Sequence, residues 1–336
     1  MESYIHHSLQ NYTTFRVAAY ANEFFKFDSE KELKQWIVKE SKRHPKKLIL
    51  GGGSNLLFTS DYDGTVLFPA FKGIELIGET EGEAFVRISA GEFWDACVEW
   101  SVERGLSGIE NLSYIPGCAG AAAVQNIGAY GVEISEVMDR VEGLWLDSGE
   151  SFVINGNECQ YNYRDSIFKG TLRNKVIVTH LVLRLSKIPK YRLDYGQVKV
   201  AVEKLGEVNL KNIRKAIIDI RKKKLPDYHQ LGNGGSFFKN PIVDTCKFEH
   251  LKQAFPDVVG YPHNSNCVKV AAGWLIERTG WKGKSFGNAG VHEKQALVLI
   301  NKGGATGQEI ARLAHEIQAD VLKKFGIKLE PEVNIL

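Results

Sequence analysis

Apolar and polar positions along this chain fall into two recurring patterns. Capped amphipathic stretches predict helices: Ser29 with Glu32 opens "EKELKQWIVKESKR", and Thr306 with Glu309 opens "GQEIARLAHEIQADVLKKF", which Gly326 closes. A third helix is predicted through "EFWDACVEWSVER", stopping at Gly105. A fourth, near 211–223, ends in the basic run "RKKK" ahead of Pro226, where cations suit a helix C-terminus. Between them, apolar β-branched runs such as "KLILG", "GTVLF", "FVRISAG", "KVIVTHLVLRLS" and "ALVLIN" read as strands.

The first 190 residues are strand-rich and lack the regular strand-helix alternation of a doubly wound sheet, so the expected class is α+β. The texture changes at the polar, tyrosine-bearing connection "KIPKYRLDYGQVKV", which puts a domain boundary near 190. The final stretch "KLEPEVNIL" sets Leu329, Pro331, Val333 and Ile335 on one side and Glu330, Glu332 and Asn334 on the other. Pro331 cannot donate to a ladder, so this is an edge or terminal strand with a polar face that is wet or functional.

Composition narrows the function classes. With 43 Lys and Arg against 40 Asp and Glu, the net charge of +3 gives no basic surface for nucleic acid or membrane. The five cysteines include no C-x-x-C and no paired histidine spacing, which argues against a disulfide framework and against a metal site, and fits a reducing compartment. No basic segment followed by an apolar core opens the chain and no long apolar run crosses it, so the expected location is the cytoplasm.

Two glycine-rich segments, both read as loops, are candidates for a ligand. In "LILGGGSNLLF" a strand runs into Gly51, Gly52, Gly53, Ser54 and Asn55, whose amides could converge on an anion. In "IPGCAGAAAVQNIGAYG" small residues fill nearly every position from Gly117 to Ala123, which would let a ligand lie against the backbone. Leu56 stands where a dinucleotide fingerprint needs glycine, and Arg278 stands where a Walker loop ending in "GKS" needs one, so neither motif is present. Tight turns alone are the lesser reading of the first segment, and a weaker one still of the second, where so many residues together avoid bulk. A long pyrophosphate ligand stretched over both would explain the two together.

The segment "GNGGSFFKNP" poses a separate question about Ser236. Serine after glycine commonly satisfies nearby backbone groups. The nucleophile pattern G-x-S-x-G is absent, because Phe238 occupies its last position, which leaves a hydrogen-bond or proton donor.

The segments "GGGSNLLF", "IPGCAGAAAVQNIGAYG", "YNYRDSIFK", "KLPD", "GNGGSFFKNP", "AAGWLIE", "HEKQALVLIN" and "LEPEV" occur in the order seen in UDP-N-acetylenolpyruvoylglucosamine reductases. The resemblance spans about Thr13 to Val333, and the insert around "LDYGQV" resembles the subclass that closes a tyrosine loop over its substrate. It implies an FAD-binding region of the PCMH or vanillyl-alcohol-oxidase type over 1–189, in two subdomains divided near 70. A smaller α+β substrate-binding domain would follow over 190–320, with a C-terminal strand over 321–336 returning to the active site. FAD would be bound noncovalently along Gly51, Gly52, Gly53, Ser54, Asn55 and Leu56, and along Pro116, Gly117, Gly120, Ala121 and Ala122. Gln125, Asn126, Gly128, Ala129, Tyr130 and Gly131 would lie nearby. Cys118 alone is placed to attempt a tether, and none is expected. Relatives often carry hydroxyls and a proline where this chain has "GAAAVQN", so contacts there must come from backbone amides.

The implied reaction belongs to bacterial cell-wall synthesis, and through it to cell shape and division. Hydride passes from NADPH to flavin, then to C3 of the enolpyruvyl group of UDP-N-acetylglucosamine enolpyruvate, and C2 takes a proton. By resemblance Arg164 and Glu332 act on the enolate-like intermediate and Ser236 delivers that proton. An arginine fork suits the substrate carboxylate. A glutamate beside growing negative charge must be protonated, or bridged through water or arginine. Tyr163, Tyr195, Lys224, Asn240 and Gln295 are expected to contact the UDP-sugar, with Tyr195 over uracil and Lys224 on phosphate. Without the resemblance, half-buried tyrosines, a surface ion pair of Arg164 with Asp165 and a solvated edge Glu332 are the plainer readings. The expected state is a monomer. Two rivals are a flavin oxidase of the same fold acting on an alcohol or hydroxy acid, and a nucleotide-sugar binding protein without redox activity.

Overall fold

The computed structural model describes residues 1–336, which fold as two compact units. The first comprises Met1–His7, Ala21–Gly52 and Asp63–Lys223; the second comprises Ser8–Tyr20, Gly53–Tyr62 and Lys224–Leu336. The compact division thus falls at Lys223, and the tyrosine-bearing connection and the helix after it belong with the first unit.

In the first unit a four-stranded sheet has the order Glu2–Ser8, Tyr20–Phe27, Tyr62–Pro69, Lys47–Ile49, with the last two strands parallel. Helix Glu30–Glu40 begins as predicted, the Ser29 side chain accepting from the Glu32 amide. Its Leu33, Trp36 and Ile37 pack with Phe27 and Leu67. A five-stranded antiparallel sheet has the order Ser151–Asn155, Met138–Trp145, Val176–Ser186, Glu83–Ser89, Ile74–Glu79. The central strand Val176–Ser186 is buried at nearly every position because both of its faces are covered, which is why its sequence is apolar without alternation. Helix Trp94–Glu103 shares its core, and Gly105, at φ 71°, follows the helix end.

The small-residue segment differs from the loop expected of it. Ala119–Gln125 is a helix, ended by Asn126 in the left-handed conformation at φ 47°. Alanine is the strongest helix former, and here its small size also serves packing. A Cβ on Gly120 would lie 2.7 Å from that of Ala90, and Ala119, Ala122 and Ala123 are core residues.

His180 on the central strand is only 7% exposed, with Nδ1 3.1 Å from the Thr179 hydroxyl, and burial pushes its imidazole down to about 4. Between that value and the ordinary one of about 6.5, the unfolded chain takes up a proton that the folded chain refuses. Stability must therefore fall as the pH drops through this window. The loss is on the order of 2 kcal/mol between about pH 7.5 and pH 5. Urea denaturation at the two pH values should show that slope in the wild type and a smaller one in His180→Gln.

In the second unit a four-stranded antiparallel sheet has the order Gly232–Ser236, Val298–Asn301, Ala289–Val291, Ser285–Phe286. A three-stranded sheet has the order Ile242–Asp244, Cys267–Val270, Gly260–Asn264. Helix Gly307–Phe325 carries the predicted capping box at Thr306 and Glu309 and the predicted left-handed Gly326, and it packs on the four-stranded sheet. The chain end is less regular than expected. Only Asn334–Ile335 forms a strand, parallel to Leu56–Leu57, because Pro331 interrupts the ladder. Leu329 and Val333 are buried as the alternation requires, but Ile335 is exposed.

Candidate active site

In the first unit the expected residues gather around a tight hairpin. Gly128–Ala129 pairs with Val132–Glu133, and the two turn residues, Tyr130 and Gly131, have φ of 49° and 80°. That pair of positive values is the type I′ geometry of two-residue hairpins. Arg164 reaches this hairpin from its own two-residue turn, closed by Asn162 and Asp165, where its φ is 56°. Its Nη2 donates to the Gly128 carbonyl at 2.5 Å and its Nη1 to that of Asn126 at 3.4 Å. A Cβ on Gly128 would stand 2.9 Å from Nη1, so this glycine makes room for the guanidinium. Its Nη1 lies 3.9 Å from the Glu133 carboxylate, whereas the Asp165 side chain accepts from the Ser166 amide. The guanidinium also lies 5.1 Å from the ring of Tyr163.

Asn126, expected beside the cofactor, has its side chain committed to the protein. Nδ2 donates to Glu133 at 2.8 Å and to the Asn162 carbonyl at 2.9 Å, and Oδ1 accepts from the Ser135 amide at 3.3 Å. Gln125 likewise accepts from Lys169 at 3.1 Å. The two glycine-rich segments do approach each other: a Cβ on Gly52 would fall 2.6 Å from Cα of Gly117, and one on Gly51 would lie 3.2 Å from the Ala121 side chain. Pro116 and Gly117 are half-buried and Ala121 is exposed beside them. A strip of accessible backbone thus runs past bulk-free residues, as a bound dinucleotide requires.

Tyr195 is 43% exposed, and its ring meets that of Tyr130 edge-on at 6.0 Å. Sequence reasoning missed what supports this corner. On helix Leu210–Lys224, Arg214 forms a bidentate pair with Asp95, and Arg221 donates to the Tyr114 carbonyl at 3.1 Å beside the Tyr130 hydroxyl. Burial lowers the pKa of Arg221 and raises that of Tyr130. The available signal was the seven-residue spacing of the two arginines, which puts both on one helix face.

The second unit holds the other expected catalytic residues. Ser236 is exposed at the end of its strand, past a bulge where Gly235 adopts φ 67°. The bonds that shape this loop come from Asn233, whose Oδ1 accepts from the Gly235 amide at 3.0 Å. Phe237 and Phe238 are buried and anchor the strand from behind. Glu332 runs alongside, its amide donating to the Phe237 carbonyl at 2.8 Å, while Phe238 bridges Pro331. Asn55 holds the same segment, donating from Nδ2 to the Glu332 carbonyl at 3.1 Å. Gly53 is locked nearby at φ 59°, where a Cβ would fall 1.9 Å from the Tyr12 carbonyl oxygen. Ser54 and Leu56 are half-buried around them. Asn240 and Gln295 meet at the start of helix Ala272–Arg278: Asn240 Oδ1 accepts from the Ala272 amide at 2.9 Å, and Gln295 Oε1 lies 3.2 Å from a Cβ built on Gly273. Lys224 is exposed at the end of its helix.

Residues 22–150 match the FAD binding domain family, and residues 226–336 match the C-terminal domain of UDP-N-acetylenolpyruvoylglucosamine reductase. The reductase of Bacteroides fragilis is 46% identical over 330 residues, covering 98% of this chain and 99% of its own. That of Pseudomonas aeruginosa is 44% identical over 332 residues, covering 98% of each. The chain belongs to the UDP-N-acetylenolpyruvoylglucosamine reductase family. As a member it is an FAD-dependent oxidoreductase that uses NADPH to reduce UDP-N-acetylenolpyruvoylglucosamine in peptidoglycan synthesis. The crystal structure of the Thermus caldophilus reductase shares the fold, with TM-score 0.69 at 23% identity over 99% of this chain and 98% of that one. A 4-ethylphenol oxidase from Gulosibacter chungangensis shares it more distantly, with TM-score 0.51 at 12% identity over 92% and 80%. Those likenesses agree with an α+β fold of the vanillyl-alcohol-oxidase type.

The residues fit the flavin these reductases carry. The accessible backbone along Gly51–Gly52 and Pro116–Gly117 suits its pyrophosphate. Cys118 is buried, and burial pushes its thiol up to about 11, which keeps it protonated. No helix is long and apolar enough to cross a membrane.

Proposed function

We propose that this reductase binds FAD noncovalently and divides the chemistry of the enolpyruvyl group among three side chains: Arg164, Ser236 and Glu332. A bound FAD supplies a two-electron relay between NADPH and the substrate double bond. Arg164 orients the substrate carboxylate and stabilises the charge that grows on it; Ser236 gives its proton to C2; Glu332 acts on the same enolate-like intermediate. The observation that carries this reading is the pairing of the exposed Ser236 strand with the Glu332 segment through the Glu332 amide and Phe237 carbonyl. It sets a hydroxyl and a carboxyl in one register with buried phenylalanines behind them.

Tyr163, Tyr195, Lys224, Asn240 and Gln295 bind the UDP-sugar in this reading, and the substrate-binding part includes the tyrosine loop. The enzyme acts in the cytoplasm as a monomer. The test is a turnover assay. NADPH should be consumed only when the enolpyruvyl nucleotide is present, and the product should be heavier by one H₂. NADPH consumption that follows oxygen and ignores the nucleotide would favour the flavin oxidase instead.

A further inference from the structure

Between the short turn Glu110–Leu112 and helix Ala119–Gln125, residues 113–117 carry neither helix nor strand. Tyr114 within them has φ 61°, a left-handed conformation that a bulky side chain rarely adopts and that persists only where its surroundings hold it. Both of its backbone polar groups are held by side chains. The amide donates to Asp95 Oδ1 at 2.5 Å, and the carbonyl accepts from Arg221 Nε at 3.1 Å.

Asp95 stands in the first turn of helix Trp94–Glu103, where a carboxylate suits the helix dipole. Its hydrogen bonds nevertheless run outward. Oδ1 also accepts from Arg214 Nη1 at 2.6 Å, and Oδ2 accepts from Arg214 Nη2 at 2.9 Å. The Arg214 side chain is only 11% exposed, and its other carboxylate contact, Glu99 at 3.4 Å, comes from the same helix one turn on. Packing alone does not call for such a pair, because two apolar side chains of similar volume serve a buried site as well or better. What an apolar pair cannot do is accept the Tyr114 amide. A carboxylate takes that bond and both guanidinium bonds at once. The same helix start grips the segment at two more points: Trp94 Nε1 donates to the Leu112 carbonyl at 3.0 Å, and the Trp94 amide to the Gly117 carbonyl at 3.0 Å.

We infer that Asp95 is a positioning residue for the cofactor: with Arg214 locking its carboxylate, it fixes the peptide of Tyr114 and so the direction in which the Pro116–Gly117 backbone is offered to the FAD pyrophosphate. This rests on the reading in which FAD lies noncovalently along Pro116–Gly117. A rigid segment gives up little freedom when a ligand orders against it, so the effect falls on how firmly FAD is held.

Two charge-free forms isolate the Tyr114 bond. Asp95→Leu with Arg214→Met removes the acceptor, whereas Asp95→Asn with Arg214→Met keeps an oxygen for it. Each holoenzyme is diluted, and the release of FAD is followed by the gain in flavin fluorescence. The leucine form should release FAD about tenfold faster than the wild type, the factor that one lost buried hydrogen bond supplies. The asparagine form should stay close to the wild-type rate, and the two flavin-free full-length chains should melt together. Equal release from the two forms would overturn the role. So would a flavin-free leucine form that melts well below the asparagine form, since that marks a general loss of packing. Amide exchange over residues 111–118, read by mass spectrometry, separates the two parts of the inference. Exchange that quickens in the leucine form while FAD release does not would refute the placement of FAD on this strip, and the proposal with it. Exchange and release both unchanged would refute the hold by Asp95 and leave that placement standing. Should the leucine form fail to fold, the wild-type holoenzyme decides: a Tyr114 amide that exchanges as fast as in a free peptide of residues 111–118 would overturn the hold, and a strongly protected one would support it.

Discussion

Ser236→Ala should slow transfer to the enolpyruvyl group by about 10²- to 10⁴-fold, the range for removing a positioned general acid, while NADPH reduces the flavin at the wild-type rate. A serine hydroxyl is a weak acid, but a carbanionic carbon is a base strong enough to take its proton when the two are in contact. Because Ser236 is exposed at the end of its strand and its neighbours Phe237 and Phe238 do the packing, the substitution should change stability by no more than about 0.5 kcal/mol. Stopped-flow measurement of each half-reaction separates the outcomes. Equal loss in both halves would contradict the proton-donor role.

Arg164→Met should lower transfer to the enolpyruvyl group by about 10²- to 10³-fold, as loss of one preorganised charge-stabilising donor does. The guanidinium donates to the Gly128 and Asn126 carbonyls and lies beside the Tyr163 ring, which fixes the direction of its plane. Arg164→Lys should recover only a small part of the rate, because an ammonium cannot bond the hairpin and a carboxylate in the same planar geometry. NADPH-dependent flavin reduction, followed in the same preparations, should be unaffected. A lysine variant with wild-type transfer would show that charge suffices and that the anchored fork does not matter.

The helices were legible because their ends are written in local chemistry. Ser29, Thr306, Glu309 and Gly326 act within a few residues of themselves, and the structure shows each in its expected place. The buried strand Val176–Ser186 was legible from its unbroken apolar run. The Ala119–Gln125 helix was not, because its run of alanine and glycine bears no amphipathic pattern and resembles a turn until Ala90 is seen against Gly120. The roles of Asn55 and Asn126 were hidden for a different reason. Each bonds backbone in a segment distant along the chain, and the partners of a carboxamide leave no trace in local composition. The division of the chain at Lys223 was equally hidden, since composition changes at the tyrosine loop while packing returns the loop and its helix to the first unit.

The most direct test is an anaerobic sequence on wild type and Ser236→Ala. Each protein, loaded with FAD, is reduced by one equivalent of NADPH and then mixed with the enolpyruvyl nucleotide. The account predicts that both bleach alike, that the wild type recovers its yellow colour as one equivalent of the lactyl product forms, and that Ser236→Ala recovers only slowly. A wild-type flavin that stays reduced until oxygen is admitted, or a Ser236→Ala protein that recovers as fast as the wild type, would contradict it.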